Sequence, residues 1–399
     1  MADSATKVST RAAWADDPLG YMIAPYDRAD FFNRIYEREA IIIHRDEPNR
    51  YTDLLSIDGI DRLIAGADLS EGQLDLANAI NPVDREMYIS ESGLIDRGVI
   101  ARQFQGGSTI IMQQLHQHDP VLADFCRAIE HIFSAHTQTN IYLTPPEAQG
   151  FRTHYDNHCV FILQIEGEKR WRLYNMSVDA PYRGEGFSSK EHPVGDLQQE
   201  FVLKAGDCAY VPRGLMHDAT TSGTDSSLHI TVGLIVKTWA DLILESVSEV
   251  ALKNLAFRRA LPAGYANADF DRTAMAPTLR ELSQILAKET KLDGAFELMA
   301  DSFIRSRAPN TFGAIKDAPR GVQPMDRYVA RAFTPWRLAE DEEKLVLIAP
   351  GGEVDFTPPE RAAIERALDG RPFSPGDLPD ADNELIRKLQ AFGLIMRAS

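Results

Sequence analysis

The chain has 399 residues, with 42 Lys and Arg against 59 Asp and Glu, for a formal net charge of −17. The length allows two or three domains with a sizeable core, and the acidic balance argues against binding along phosphate backbones while suiting a small molecule or a basic protein. Cys126, Cys159 and Cys208 make neither a CxxC zinc pattern nor a disulfide framework, and no signal-peptide core or 18-residue apolar run occurs, so a reducing, cytoplasmic location with no membrane span is expected.

Residues 1–35 read as a polar arm and a short helix. Glu39–His44 (EAIIIH) is a β-branched run and a predicted strand. Ile57, Ile60, Leu63 and Ile64 recur at helical intervals within 56–80. Ser108–Leu115 (STIIMQQL) reads as a strand passing into a helix, and Leu122, Phe125, Ile129 and Ile132 follow at helical spacing. From Asn140 to about Lys237 short apolar runs alternate with Gly and Pro turns (CVFILQIEGEKRWRLY, EFVLKAGDCAYVPRG, SLHITVGLIV), which predicts an antiparallel sandwich or barrel. From Trp239 the period turns helical: Leu242, Ile243, Val247 and Val250 form one stripe, and Leu279, Leu282, Ile285 and Leu286 another. Such stripes need a partner, either the barrel or a second copy of the chain. The last 70 residues predict a strand (LVLIA), a Pro-Gly-Gly turn, two helices and a final strand (LIMRA), a winged-helix-like order. Residues 330–399 hold nine Lys and Arg against thirteen Asp and Glu, so the positive footprint of a groove binder is absent and no direct nucleic-acid partner is expected.

His154-Tyr155-Asp156 is an HxD pair after a Pro-rich turn. Alternate residues of a strand share a face, so both side chains can reach one ion. A chain with ten histidines holds such a pair by chance on the order of once, and His44-Arg45-Asp46 is read as that chance case. The second segment, Gly206-Asp-Cys-Ala-Tyr-Val-Pro212-Arg-Gly214-Leu-Met-His217, has the G-x5-P-x-G-x2-H form of the second cupin motif. Its Pro212–Gly214 turn re-aims His217 into a barrel mouth. A lone histidine is most often a packed side chain. Two histidines and one carboxylate on one face instead make the facial triad of non-haem Fe(II) oxygenases, with open positions for a co-substrate and dioxygen.

The stretches QGFRTHYDNHCVFILQIEGEKRWRLY and GDCAYVPRGLMH resemble the JmjC-type cupin oxygenases, and within them the ribosomal-protein hydroxylase (cupin-4) group. The resemblance implies an α+β fold: a double-stranded β-helix (cupin, jelly-roll) barrel with N-terminal helices, a helical dimerisation region and a C-terminal winged-helix-like domain. The corresponding domains are 1–238, 239–325 and 326–399. It implies Fe(II) held by His154, Asp156 and His217, with 2-oxoglutarate as co-substrate. Lys169, fifteen residues past His154, matches the basic residue that pairs with the far carboxylate of 2-oxoglutarate. Asn140 and Tyr142 match pocket-lining positions of histidyl-hydroxylating relatives, although barrel strands also favour Tyr on structural grounds alone. The chain departs from those relatives at Asn157-His158-Cys159, where acidic residues are usual, and at Gly233, where a pocket serine is frequent. His158 is expected at the rim rather than as a fourth polar group near the mouth, and His229 as a satisfied residue of the core or of the layer behind the ligands, not itself a ligand.

The expected activity is hydroxylation of an unactivated C–H bond on a protein or peptide side chain, with an Arg or His of a ribosomal protein as one such target. Two other readings stand beside it. One is the same chemistry on a small metabolite or peptide natural product, and the other a non-catalytic, metal-binding cupin scaffold. The apolar stripes of 239–255 and 279–304 predict a homodimer.

Overall fold

The computed structural model describes residues 12–340, 344–379 and 382–398. The polar arm expected at the N-terminus falls largely on residues 1–11, outside the described residues, and the short helix is Pro18–Ile23. The chain forms two compact units, 1–236 and 237–399.

Among the described residues the first unit contains ten strands: β1 (Ile41–Ile43), β2 (Leu74–Ala77), β3 (Thr109–Met112), β4 (His136–Thr144), β5 (Cys159–Glu166), β6 (Glu168–Met176), β7 (Leu197–Lys204), β8 (Cys208–Val211), β9 (Leu215–Thr221) and β10 (Ser227–Ile235). They form an antiparallel seven-stranded sheet, β1-β8-β5-β10-β4-β3-β2, and an antiparallel three-stranded sheet, β7-β6-β9. Side chains of both sheets share one core of Val160, Ile162, Trp171, Leu173, Leu203 and Val211. Two antiparallel sheets closing over a common core make a jelly roll.

The sequence CVFILQIE gives β5 an almost continuous apolar run because the strand is covered on both faces. Val160 and Ile162 face the barrel interior. On the other face, Phe161 stacks on Phe31 at 5.7 Å and tilts against Tyr210 at 5.0 Å, so N-terminal helical residues cover the outside of the large sheet. Strand β4 shows the inverse pattern. Thr137, Thr139, Ile141 and Leu143 are buried, while Gln138, Asn140 and Tyr142 are only half buried. The helix Pro120–Phe133 covers the buried face, and the more open face contributes Tyr142 to the barrel cavity. The helical spacing read across 56–80 ends sooner than expected. The helix is Ile57–Gly66, and the chain then turns into β2.

The second unit holds the helices Trp239–Lys253, Ala276–Glu289 and Leu292–Arg305, then β11 (Tyr328–Ala330), β12 (Arg337–Glu340), β13 (Leu345–Ala349), β14 (Gly352–Phe356), the helices Arg361–Ala367 and Asn383–Ala391, and β15 (Ile395–Arg397). A Thr238–Asp241 capping box starts the first helix. Arg337 of β12 donates two hydrogen bonds to Asp301 of the helix Leu292–Arg305, at 2.7 and 2.8 Å. The Pro-Gly-Gly segment does not lead directly into a helix as expected. It is the bend of a β13–β14 hairpin, in which Val354 and Phe356 alternate inward. No helix among the described residues is long and apolar enough to cross a membrane.

Candidate metal centre

His154 and Asp156 lie in the segment before β5, held against the start of β9. The amide of His154 donates to the carbonyl of His217 at 3.1 Å, and the amide of His217 donates back to His154 at 2.8 Å. Gly214 donates to the Asp156 carbonyl at 2.9 Å. This ladder brings His154, Asp156 and His217 together, with their ligand atoms all within 4.8 Å of one another. Gly214 allows it. Its φ is +85°, and a Cβ there would lie 1.8 Å from the Val178 carbonyl oxygen.

Both imidazoles are oriented for metal binding. His154 Nδ1 lies 2.9 Å from the Arg152 carbonyl and His217 Nδ1 lies 3.0 Å from the Leu215 carbonyl. A carbonyl only accepts, so each Nδ1 carries the proton and each Nε2 lone pair is left for an ion. Burial, then the neighbouring His154 ring, lowers the pKa of His217 and favours the neutral form that ligates. Two imidazoles and one carboxylate, with no thiolate beside them, suit ferrous iron.

Asp218 was not legible as a functional position, yet it fixes the centre. Its buried carboxylate accepts from Thr153 and Tyr174, each at 2.7 Å, and from Arg172 at 3.3 Å. It thereby ties the HxD segment and β6 to the strand that carries His217. An acid in the middle of a strand sequence (LMHDATT) is the one signal that marked it.

Lys169 lies deeper in the same cavity. It pairs with Thr221 across β6 and β9, four residues beyond the Leu173–His217 pair, or roughly 13 Å along the strand. Its ammonium is buried and donates to Thr144 Oγ1 at 2.9 Å, and among the described residues no carboxylate pairs with it. Burial pulls its pKa down to about 7. Around it Trp171 Nε1, Thr221 Oγ1 and His229 Nδ1 are buried without hydrogen-bond partners. His229 lies outside the ligand set, and its Nδ1 is left without a hydrogen-bond partner. Stacking holds it instead, at 4.8 Å on Tyr142 and edge-on at 5.4 Å to Trp171. Burial and the Lys169 charge keep its pKa well below 6.5.

Tyr142 lines the cavity, but Asn140 does not. Asn140 Oδ1 accepts from the backbone amide of Gln114 at 3.0 Å, and the same side chain also hydrogen-bonds Tyr142. Its place is behind Tyr142, because these local partners already take up its amide. His158 is half buried and stands outside the ligand set, against Gly233. The other HxD pair is structural: His44 Nδ1 lies 2.9 Å from the buried Asp207 carboxylate. Phe151, exposed beside His154 at a ring separation of 5.7 Å, is a further wall residue that the sequence did not single out.

Residues 112–242, which span the barrel and the ligand set, match the JmjC domain model. The chain carries a JmjC domain. It is 30% identical over 317 residues to a Drosophila mojavensis protein named bifunctional lysine-specific demethylase and histidyl-hydroxylase NO66, covering 73% of this chain and 35% of that protein. It is 29% identical over 309 residues to human ribosomal oxygenase 1, covering 72% of this chain and 47% of that protein. The chain thus spans between about a third and a half of these curated relatives. Among solved structures, it resembles YcfD, a ribosomal oxygenase from Escherichia coli, in complex with cobalt and 2-oxoglutarate. The TM-score is 0.51 at 14% identity, covering 94% of this chain and 99% of that one. At that identity the likeness concerns the fold, a JmjC cupin jelly roll.

Proposed function

We propose that this chain is an Fe(II)- and 2-oxoglutarate-dependent oxygenase that hydroxylates a side chain of a protein. The observation that carries the reading is the pairing of two sites in one cavity. A His-Asp-His ligand set stands at the mouth, and the buried Lys169 amine, with no acidic partner among the described residues, stands below it. A short dicarboxylate satisfies both, with one end on the metal and the other on Lys169. The unpaired Trp171 and Thr221 donors offer further hydrogen bonds to the deep carboxylate. A scaffold without catalysis has no use for a desolvated lysine at that place.

Bound iron and 2-oxoglutarate would supply oxidative decarboxylation to succinate and CO2, coupled to insertion of an oxygen atom into a C–H bond. The residues of the chain do the rest. His154, Asp156 and His217 fix the metal's geometry, and Asp218 holds the segments that bear them. Lys169 anchors the co-substrate, and Phe151 and Tyr142 wall the space where the target carbon must approach. The acidic chain suits a basic protein. A relative named ribosomal oxygenase 1 favours a ribosomal protein as substrate, and one named a histidyl-hydroxylase favours His over Arg as the modified residue.

The test is succinate formation by the purified chain with Fe(II), ascorbate and 2-oxoglutarate, then mass spectrometry of added ribosomal proteins. Succinate and a +16 Da product, both lost in His154→Ala, are expected. No succinate under any condition would reject the reading.

A further inference from the structure

One polar side chain close in sequence to the metal ligands has no part in the ligand set. His158 lies two residues past Asp156, just before β5, and is half buried. No hydrogen bond or ion pair joins its ring to any described residue. Its position is nevertheless fixed by what it lies against. A Cβ on Gly233 would lie 2.7 Å from His158 Cδ2 and 2.9 Å from its Nε2, with Gln138 Cγ at 3.3 Å. The imidazole therefore fills the volume that any other residue at 233 would need.

Register places this contact one step beyond the residues that line the cavity. Gly233 shares a face of β10 with His229 and Thr231, both of which line the cavity. On the neighbouring strands it pairs with Gln138 of β4 and Val160 of β5, at the end nearest Asp156. A ring lying across that face stands next in line beyond Thr231 and Val160, which line the cavity. An imidazole there offers a ring N–H donor and, when neutral, an acceptor. The Gln138 carboxamide beside it offers both.

We propose that His158, seated on Gly233, is a specificity-determining residue that hydrogen-bonds the target side chain of the protein substrate. The subsite then takes a side chain with a nitrogen-bearing polar head rather than an aliphatic one. This rests on the oxygenase reading above and assigns that same mouth its selectivity. Two consequences are particular to the geometry. Removing the ring removes the contact. Adding a methyl group at position 233 displaces the ring and has the same effect.

The test uses acid-extracted ribosomal proteins as the probe, with His158→Ala, His158→Gln, Gly233→Ala and the His158→Ala/Gly233→Ala double variant. The loss of one such hydrogen bond is about tenfold. His158→Ala and Gly233→Ala should each raise the KM for the protein about tenfold, with the KM for 2-oxoglutarate within twofold of wild type. His158→Gln should recover part of the loss. The double variant should be no worse than His158→Ala alone, because the two changes remove one contact. Unchanged protein KM in His158→Ala, multiplying losses in the double variant, no stimulation by the probe, or oxidation of an aliphatic residue would each overturn the proposal. Absence of any 2-oxoglutarate turnover in the wild type would instead reject the oxygenase reading itself.

Discussion

Lys169 is the residue on which the co-substrate assignment turns. In a hairpin numbered GEKRW a lysine would ordinarily be a solvated surface group, and only its place fifteen residues past His154 marked it. The structure shows why it differs: β6 alternates, and Lys169 shares the inward face with Trp171 and Leu173. A charge-assisted contact of this kind contributes roughly 1.5–3 kcal/mol. Lys169→Ala should therefore raise the KM for 2-oxoglutarate by about ten- to a hundredfold, while iron content stays at the wild-type level. Lys169→Arg keeps the charge and should be milder. A wild-type KM in the alanine variant would return Lys169 to a purely structural role. A pH effect follows from the same burial. The pKa of Lys169 is about 7 in the folded chain against an ordinary 10.5, so the unfolded state holds more protons between those values. This group therefore makes the ligand-free protein more stable as the pH rises from 7 to 10.5, and its penalty is complete below about 7. A dicarboxylate restores the ammonium, so binding at pH 8 should take up a proton. Calorimetric titration of 2-oxoglutarate into the manganese-loaded chain, in two buffers of different ionisation heat, should show that uptake. Lys169→Met should abolish it, and equal apparent enthalpies for the wild type in both buffers would contradict the assignment. The ligands were legible because each lies in a short motif of fixed spacing. Asp218, Thr144 and Phe151 were not, because strand pairing and a surface turn, rather than sequence spacing, bring them to the cavity.

Among the elements, the turn into β9 bears most on the metal centre. The Pro212–Gly214 turn was read from sequence as the device that aims His217, and the backbone supports that role. Gly214 alone meets two demands: a left-handed φ of +85°, and a close approach to the Val178 carbonyl. Its amide also holds the Asp156 carbonyl, so a shift here disturbs two ligands at once. Gly214→Ala should destabilise the chain by roughly 1–3 kcal/mol from backbone strain, and by more if the clash with Val178 cannot relax. Its bound iron should fall well below one per chain, measured by elemental analysis beside a thermal melt. Wild-type melting with full iron would show that the turn has slack. Strands β4 to β10 were legible as a group because apolar runs recur between Gly and Pro turns. Strand β14 was not, although Gly352–Phe356 alternates as a strand should. The glycines at its start and the Pro-Pro that follows it hid a five-residue strand between two breakers.

At the scale of the whole molecule, the second unit's apolar faces bear on assembly. The helix Ala276–Glu289 spans 14 residues and has no buried residue, although Leu279, Leu282, Ile285 and Leu286 form a stripe along it. Isolated helices of that length are marginal in water, so the stripe needs a surface to rest on. The helix Trp239–Lys253 adds Trp239 at 75%, Leu252 at 75% and Ile243 at 56% exposure. Side chains of this size seldom stand open together on a monomer. A second copy is the simplest cover, because a two-fold axis buries the same patch on both chains at once. Light scattering on the purified chain at micromolar concentration should therefore give twice the chain mass. Leu252→Glu and Leu279→Glu should shift it toward the monomer, because each buries a carboxylate without a partner in the dimer. If the dimer does no more than stabilise the helical region, these variants should keep their bound iron, because the ligand set is held entirely within the first unit. A monomeric mass for the wild type would remove the dimer and leave those stripes to another protein, for which this acidic chain would favour a basic face.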